Sequence, residues 1–250
     1  MEKVVSKYKI SSFTSIKGLI LWSLVRHKYL IPAFSIAQVA FAIAIIYGMG
    51  LFITQMDEVS QIYLASGAIT LGMIAVGCVL APQIVSESKQ NGIYEYQRTL
   101  PVSRNAILLS DIIIWGVAAL PGIAVGCIVS ALRFDISINI NILNILLIIF
   151  ALFTMICIGF CIAYWLPPNV MALATQVIMI GGLLFSPITY PADRLPEWTR
   201  YIYQNLPFVP ISNMIRMYLF HADATVNIAV IAFWASASYI LALCALSIRK

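Results

Sequence analysis

The charged residues of this chain come in clusters, and the stretches between the clusters limit what it can fold into. No Asp, Glu, Lys or Arg occurs in the 28 residues from Tyr29 to Met56, or in the 28 from Val59 to Ser86. Further gaps run from Ile112 to Leu132 (21 residues), Ile136 to Ala192 (57) and Ala224 to Ile248 (25). A helix crossing a bilayer needs about 20 predominantly apolar residues. The 57-residue gap is long enough for two crossings and is cut by Pro167-Pro168-Asn169, a helix-ending turn. Six spans follow, near 30–53, 61–85, 107–131, 141–165, 170–187 and 225–247. A water-soluble fold is excluded: 62% of the 250 residues are hydrophobic and 10% charged, too few polar groups to cover the apolar surface. A lipid-embedded barrel would need short segments of alternating polarity, and runs such as IIYGMGLFI and NILLIIFALF do not alternate. The expected fold is an all-α integral membrane protein.

Lysine and arginine set the orientation. Lys3, Lys7, Lys9, Lys17, Arg26 and Lys28 precede the first span. Lys89, Arg98, Arg104, Arg249 and Lys250 fall on the same side by alternation. The opposite side holds Arg133, Arg194, Arg200 and Arg216. Eleven against four predicts both termini in the cytoplasm, and the net charge of +5 then reflects topology and calls for no nucleic-acid partner. No cleavable signal peptide is expected, because the apolar run begins near residue 30 and is too long for one. The five cysteines (Cys78, Cys127, Cys157, Cys161, Cys244) lie in spans and read as free, small apolar filler, with neither a disulfide nor a metal site expected.

Three stretches outside the spans carry pattern. Residues 1–29 include an amphipathic segment, with Ile10, Phe13, Ile16, Ile20 and Leu24 at helical spacing and Trp22 and Tyr29 at its end. A helix lying on the cytoplasmic leaflet fits; the alternative is a downward extension of the first span. Residues 86–106 form the most polar internal stretch, in which Ile93, Tyr94 and Tyr96 sit among Glu87, Lys89, Glu95, Arg98 and Arg104. A short helix stopped at Leu100-Pro101 and a docking surface for a soluble partner are expected there, against the alternative of a solvated loop. The outer segment 188–223 predicts a helix starting at Pro196 and a second over Ile211 to His221, with Ile211, Met214, Ile215 and Tyr218 on one stripe. Both are too apolar for a plain loop and are expected to be re-entrant or set in the outer leaflet.

These stretches resemble the ABC-2 type transporter permease family, the membrane subunits of ATP-driven exporters. Its members carry an acidic residue after the second span, a glycine a few residues on, and a Pro-Val/Ile-Ser-Arg-like ending. Here these read Glu87, Gly92 and Glu95, then Thr99-Leu100-Pro101-Val102-Ser103-Arg104. A second echo is the segment Pro191, Leu195, Pro196, Glu197 and Trp198, followed by Leu206-Pro207 and the run to Phe220. The resemblance extends across the chain, as one permease domain over 1–250.

It implies a permease that dimerises with a second copy or a homologous permease and binds a dimer of cytoplasmic ABC ATPase subunits. Residues 86–106 would be the coupling loop, with Glu87, Gly92, Tyr94, Glu95, Tyr96, Arg98, Pro101 and Arg104 at the ATPase interface. Residues 188–223 would form the outer gate, with Pro191, Leu195, Pro196, Glu197 and Trp198. The sequence has no G-x-x-x-x-G-K-[ST], so no cofactor is expected on this chain, and ATP and Mg would bind the partner ATPase. The location implied is the plasma or inner membrane.

Other readings stay open. A secondary transporter or channel would need ion-binding groups in its spans, where the one acid is Asp111, expected near Arg104. An intramembrane enzyme finds no catalytic residues: G-x-S-G and H-E-x-x-H are absent, and His27 and His221 fall at opposite faces. A non-enzymatic immunity or assembly protein fits the same composition. The expected cargo is lipophilic or amphipathic (a drug, peptide or lipid-linked molecule), moved out of the cell.

Overall fold

Charge-free runs become helices because, away from water, each backbone N–H and C=O must be satisfied within its own segment. The computed structural model describes residues 12–52, 57–184, 186–191 and 195–248. Lys3, Lys7, Lys9, Ile10, Arg194, Arg249 and Lys250 lie outside the described residues, as do the side chains of Phe13 and Arg200. In chain order the helices are α1 (Ser12–Arg26), α2 (Leu30–Met49), α3 (Glu58–Gln90), α4 (Ile93–Thr99), α5 (Arg104–Phe134) and α6 (Ile142–Trp165). They continue with α7 (Pro168–Leu184), α8 (Glu197–Asn205), α9 (Phe208–Phe220) and α10 (Ile228–Ser247). No strand occurs among the described residues.

Among the described residues five helices are long and apolar enough to cross a membrane: α2, α3, α5, α6 and α10. The remaining expected span, 170–187, is the apolar α7 of 17 residues, about 26 Å at 1.5 Å per residue. Polar residues mark where the long helices start. Asp57, Ser103 and Asn141 each accept a hydrogen bond from a backbone N–H three residues on, at 3.2, 3.2 and 2.8 Å. Asp135 and His221 end α5 and α9 in the left-handed conformation, at φ 54° each.

Helix α3 is the centre of the bundle. Of its apolar window 83% is buried, against 22% for α2 and 22% for α10, which therefore form the periphery. Two π-helical turns, Ala44–Met49 and Ala75–Leu80, interrupt α2 and α3. The second brings Gly77 against α6, where a Cβ on Gly159 would lie 1.8 Å from the Gly77 carbonyl oxygen. Only a glycine permits that backbone-on-backbone crossing.

Helix α1 is separated from α2 by a turn at residues 27–29 and packs along α5. Its buried side is Leu19, Ser23 and His27, with Leu19 against Ala106 and Ile107. Leu24, expected on the apolar stripe, is exposed beside Leu21 and Val25. The run from Leu19 to Val25 is apolar except for Ser23 and so offers several candidate stripes, and contact with α5 selects this one.

Candidate functional site

The polar stretch between α3 and α5 is folded into an elbow whose mount is built by a lysine. At the end of α3, Lys89 Nζ donates to the carbonyl oxygens of Ala163 (2.6 Å), Tyr164 (2.9 Å) and Leu166 (3.2 Å). These carbonyls end α6 and have no partner further along the helix, so the ammonium satisfies them and opposes the helix dipole. Gly92 then turns the chain at φ 71°, in open space, and α4 begins. Tyr94 folds back under the elbow, its ring 5.8 Å from that of Tyr164, with Lys89 Nζ at 5.7 Å and the Arg98 guanidinium at 5.6 Å. Burial raises the Tyr94 phenol pKa, and Arg98 pulls it back down.

Tyr94 and Tyr96 therefore do not form a surface pair. Tyr94 is 8% exposed and Tyr96 57%, so Tyr94 as an anchor for a partner is corrected: it holds the elbow to α6. Their spacing of two places them on different sides of a helix. Glu87, Glu95, Tyr96 and Pro101 face outward. Arg98 pairs with Glu95 at 3.5 Å and donates to the carbonyl of Ile248, beyond the end of α10. Arg104 donates to the Arg98 carbonyl at 2.9 Å, closing the elbow across its base.

A second cluster joins α1 to this mount. Arg26 donates to Ser88 Oγ at 2.5 Å and lies over the Trp22 ring at 5.2 Å. Burial lowers its pKa, and the carboxylates of Asp111 and Glu87 oppose the shift. His27 is hydrogen-bonded to Ser23 Oγ at 3.1 Å and packs on Trp115 at 5.6 Å. Its burial, with Arg26 beside it, brings its pKa down to about 4. Asp111 lines a cavity of about 20 Å³ together with Arg26, Ser88, Tyr94 and Gln97, a volume that holds about one water. The sequence placed Asp111 near Arg104; the cation in its cavity is Arg26, because α1 folds back along α5. Nothing in local spacing indicates that pairing.

Residues 188–223 contain the two short helices expected, with Pro196 immediately before α8, and of the α9 stripe Ile211, Met214 and Ile215 are buried and Tyr218 half-buried. Residues 186–189 are buried and press on α3, where a Cβ on Gly67 would meet the Ile188 carbonyl oxygen at 2.8 Å. Pro191 and Leu195 are half-buried, and Pro196, Glu197 and Trp198 are exposed. Arg216, counted in the sequence only as an outer cation, is 2% exposed. It donates to Ser66 Oγ (2.9 Å), Asn213 Oδ1 (2.6 Å) and the carbonyls of Pro187 (3.2 Å) and Ile188, and its guanidinium lies 3.7 Å from the Tyr63 ring centre. Arginine inside an otherwise apolar stripe was the available signal.

All five cysteines are free, and among the described residues no cluster of His, Cys, Asp and Glu is gathered as a metal would require. The class defined by this geometry is a multi-pass helical membrane protein with a polar elbow between α3 and α5 and two short helices, α8 and α9, before its last long helix. The family model for the ABC-2 type transporter matches residues 16–220, and the chain belongs to that family. It is thus a transmembrane transporter subunit, a permease. No curated protein matches it.

Proposed function

We propose that the chain is the permease of an ATP-driven exporter and that α4 is the element received by a separate cytoplasmic ATPase. In this reading α7 is a sixth crossing and both termini are cytoplasmic. Two permeases, identical or homologous, assemble with two ATPase subunits, which hold ATP and Mg. The cargo is lipophilic or amphipathic and leaves through the outer segment.

The observation that carries this reading is the elbow. Glu95 and Tyr96 are offered outward on a helix of only seven residues, which could not hold its shape alone, with Glu87 and Pro101 exposed to either side of it. Lys89 ties it to the end of α6, Arg98 to the end of α10, and Arg26 ties α1 to Ser88 beside it. A push on α4 therefore reaches α1, α3, α6 and α10 together, as an input from a partner requires. A solvated loop would need no such bracing.

The test compares ATP hydrolysis by the complex in nanodiscs carrying wild-type permease, Glu95→Lys or Tyr96→Ala. Both side chains are exposed, so folding is preserved, and each variant is expected to lower permease-stimulated hydrolysis at least about tenfold, as loss of a docking hot spot does. Full stimulation with both variants would remove α4 from the interface.

A further inference from the structure

Two cavities flank α8, and they differ in character. On one side lies a polar cleft of about 940 Å³, lined by Tyr63, Glu197, Asn213, Arg216 and Asp223. On the other lies an apolar groove of about 390 Å³, lined by Ile178, Gly181, Trp198, Ile202 and Phe208. Tyr203 of α8 lines both. Each volume falls in the range of small-molecule sites, roughly 300–1,000 Å³.

The charges of the cleft are ordered. Arg216 is buried in it, and among the described residues none of its contacts is to a carboxylate: its hydrogen bonds go to a hydroxyl, an amide oxygen and two backbone carbonyls, and its face to Tyr63. Glu197 and Asp223 are exposed where they line it. The cleft thus offers a buried cation and a carboxylate rim on one side of α8, and the groove an apolar trough on the other, with Tyr203 shared between them. The trough exists because α7 has two successive glycines there; a Cβ on Gly181 would touch nothing within 4 Å.

We propose that the α7–α8–α9 segment is a binding site for a zwitterionic phospholipid-like amphiphile. Its phosphate is drawn toward Arg216, its ammonium is met by Glu197 and Asp223, and an acyl chain lies in the groove over Gly181. The charges match by sign and order, and the chain enters from the lipid that surrounds α7. The site needs no ATPase, so its failure and the failure of the exporter reading are separate results.

The experiment is lipid retention by delipidated protein in non-ionic detergent, measured by native mass spectrometry with phosphatidylethanolamine or phosphatidylglycerol as probe. Wild type is expected to keep phosphatidylethanolamine about tenfold more strongly than phosphatidylglycerol, which lacks the ammonium. The double variant Glu197→Gln, Asp223→Asn should lose that preference. Gly181→Leu, which fills the groove without displacing backbone, should lower retention of both lipids about tenfold or more, since it excludes acyl CH₂ groups from the groove. Val177→Trp, on the exposed side of α7 beside the same groove, should act in the same direction and serves if Gly181→Leu does not fold. Equal retention of the two lipids by wild type would overturn the proposal. So would wild-type retention in the groove-filling variants.

Discussion

Replacing Gly159 by alanine tests the packing on which the bundle depends. The added methyl would lie 1.8 Å from the Gly77 carbonyl oxygen, 2.7 Å from Pro82 Cγ and 2.9 Å from the Gly77 carbonyl carbon. Carbon and oxygen need about 3.3 Å, so α3 and α6 must part there by about 1.5 Å. A gap of even ~0.5–1 Å forfeits a quarter to a half of each dispersion contact along the seam. Met155 and Ile156, both fully buried beside Gly77, lose most. Because the obstacle is backbone, no rotamer change relieves it. Overpacking of this kind costs about 3 kcal/mol, and the better helix propensity of alanine returns about 1, leaving a net loss of about 2. The protein contains its own reporters, since Cys78 and Cys157 are fully buried near this crossing. With Cys127, Cys161 and Cys244 replaced, maleimide labelling during heating reads the opening of the seam. Gly159→Ala should raise the open population about 30-fold, and its labelling midpoint should fall. Gly116→Ala, whose methyl would meet nothing closer than 3.9 Å, should leave the midpoint unchanged or raise it. Equal midpoints for Gly159→Ala and wild type would refute the close crossing.

Lys89→Met removes three charge-assisted hydrogen bonds from the end of α6, and a thermal melt in detergent should show a loss of about 2 kcal/mol; a loss below about 0.5 would mean that water replaces the lysine. The neutral state of His27 is favoured in the fold, its pKa being about 4 against 6.5 ordinarily. The sign follows: unfolded or undocked chain takes up a proton below pH 6.5 that the docked helix refuses, so docking of α1 weakens as pH falls from 6.5 toward 4. Hydrogen exchange in α1 should quicken over that window in wild type and not in His27→Phe; identical profiles would remove His27 as the cause. Single-cysteine labelling with a membrane-impermeant reagent, on a cysteine-free background, should modify positions 57 and 197 from outside and position 91 only after permeabilisation. Labelling of position 91 from outside would invert the topology.

Much of the bundle was legible because lipid imposes one rule on every residue of a span. Length and lack of charge located α2, α3, α5, α6 and α10 and suggested α7, while Pro196 and the stripe Ile211, Met214 and Ile215 located the two outer helices. What stayed hidden was tertiary. Tyr94 and Tyr96 have the same local chemistry, and only the return of α4 onto α6 separates a buried ring from an exposed one. Asp111 and Arg26 lie far apart in sequence and meet through the fold of α1 along α5. Arg216 is anchored by carbonyls at 187 and 188, and backbone acceptors leave no mark in a sequence. The elbow residues were found by composition; their division into mount and presented face was not.

The permease is proposed to work through a second, ATP-hydrolysing chain. The most direct measurement is the mass and activity of the complex purified by a tag on the permease, from its native membrane into nanodiscs. The expected particle contains two permease chains and two ATPase chains, with hydrolysis faster than in the ATPase alone. A permease that purifies without an ATP-hydrolysing chain, and that carries an ion flux by itself in liposomes, would contradict it.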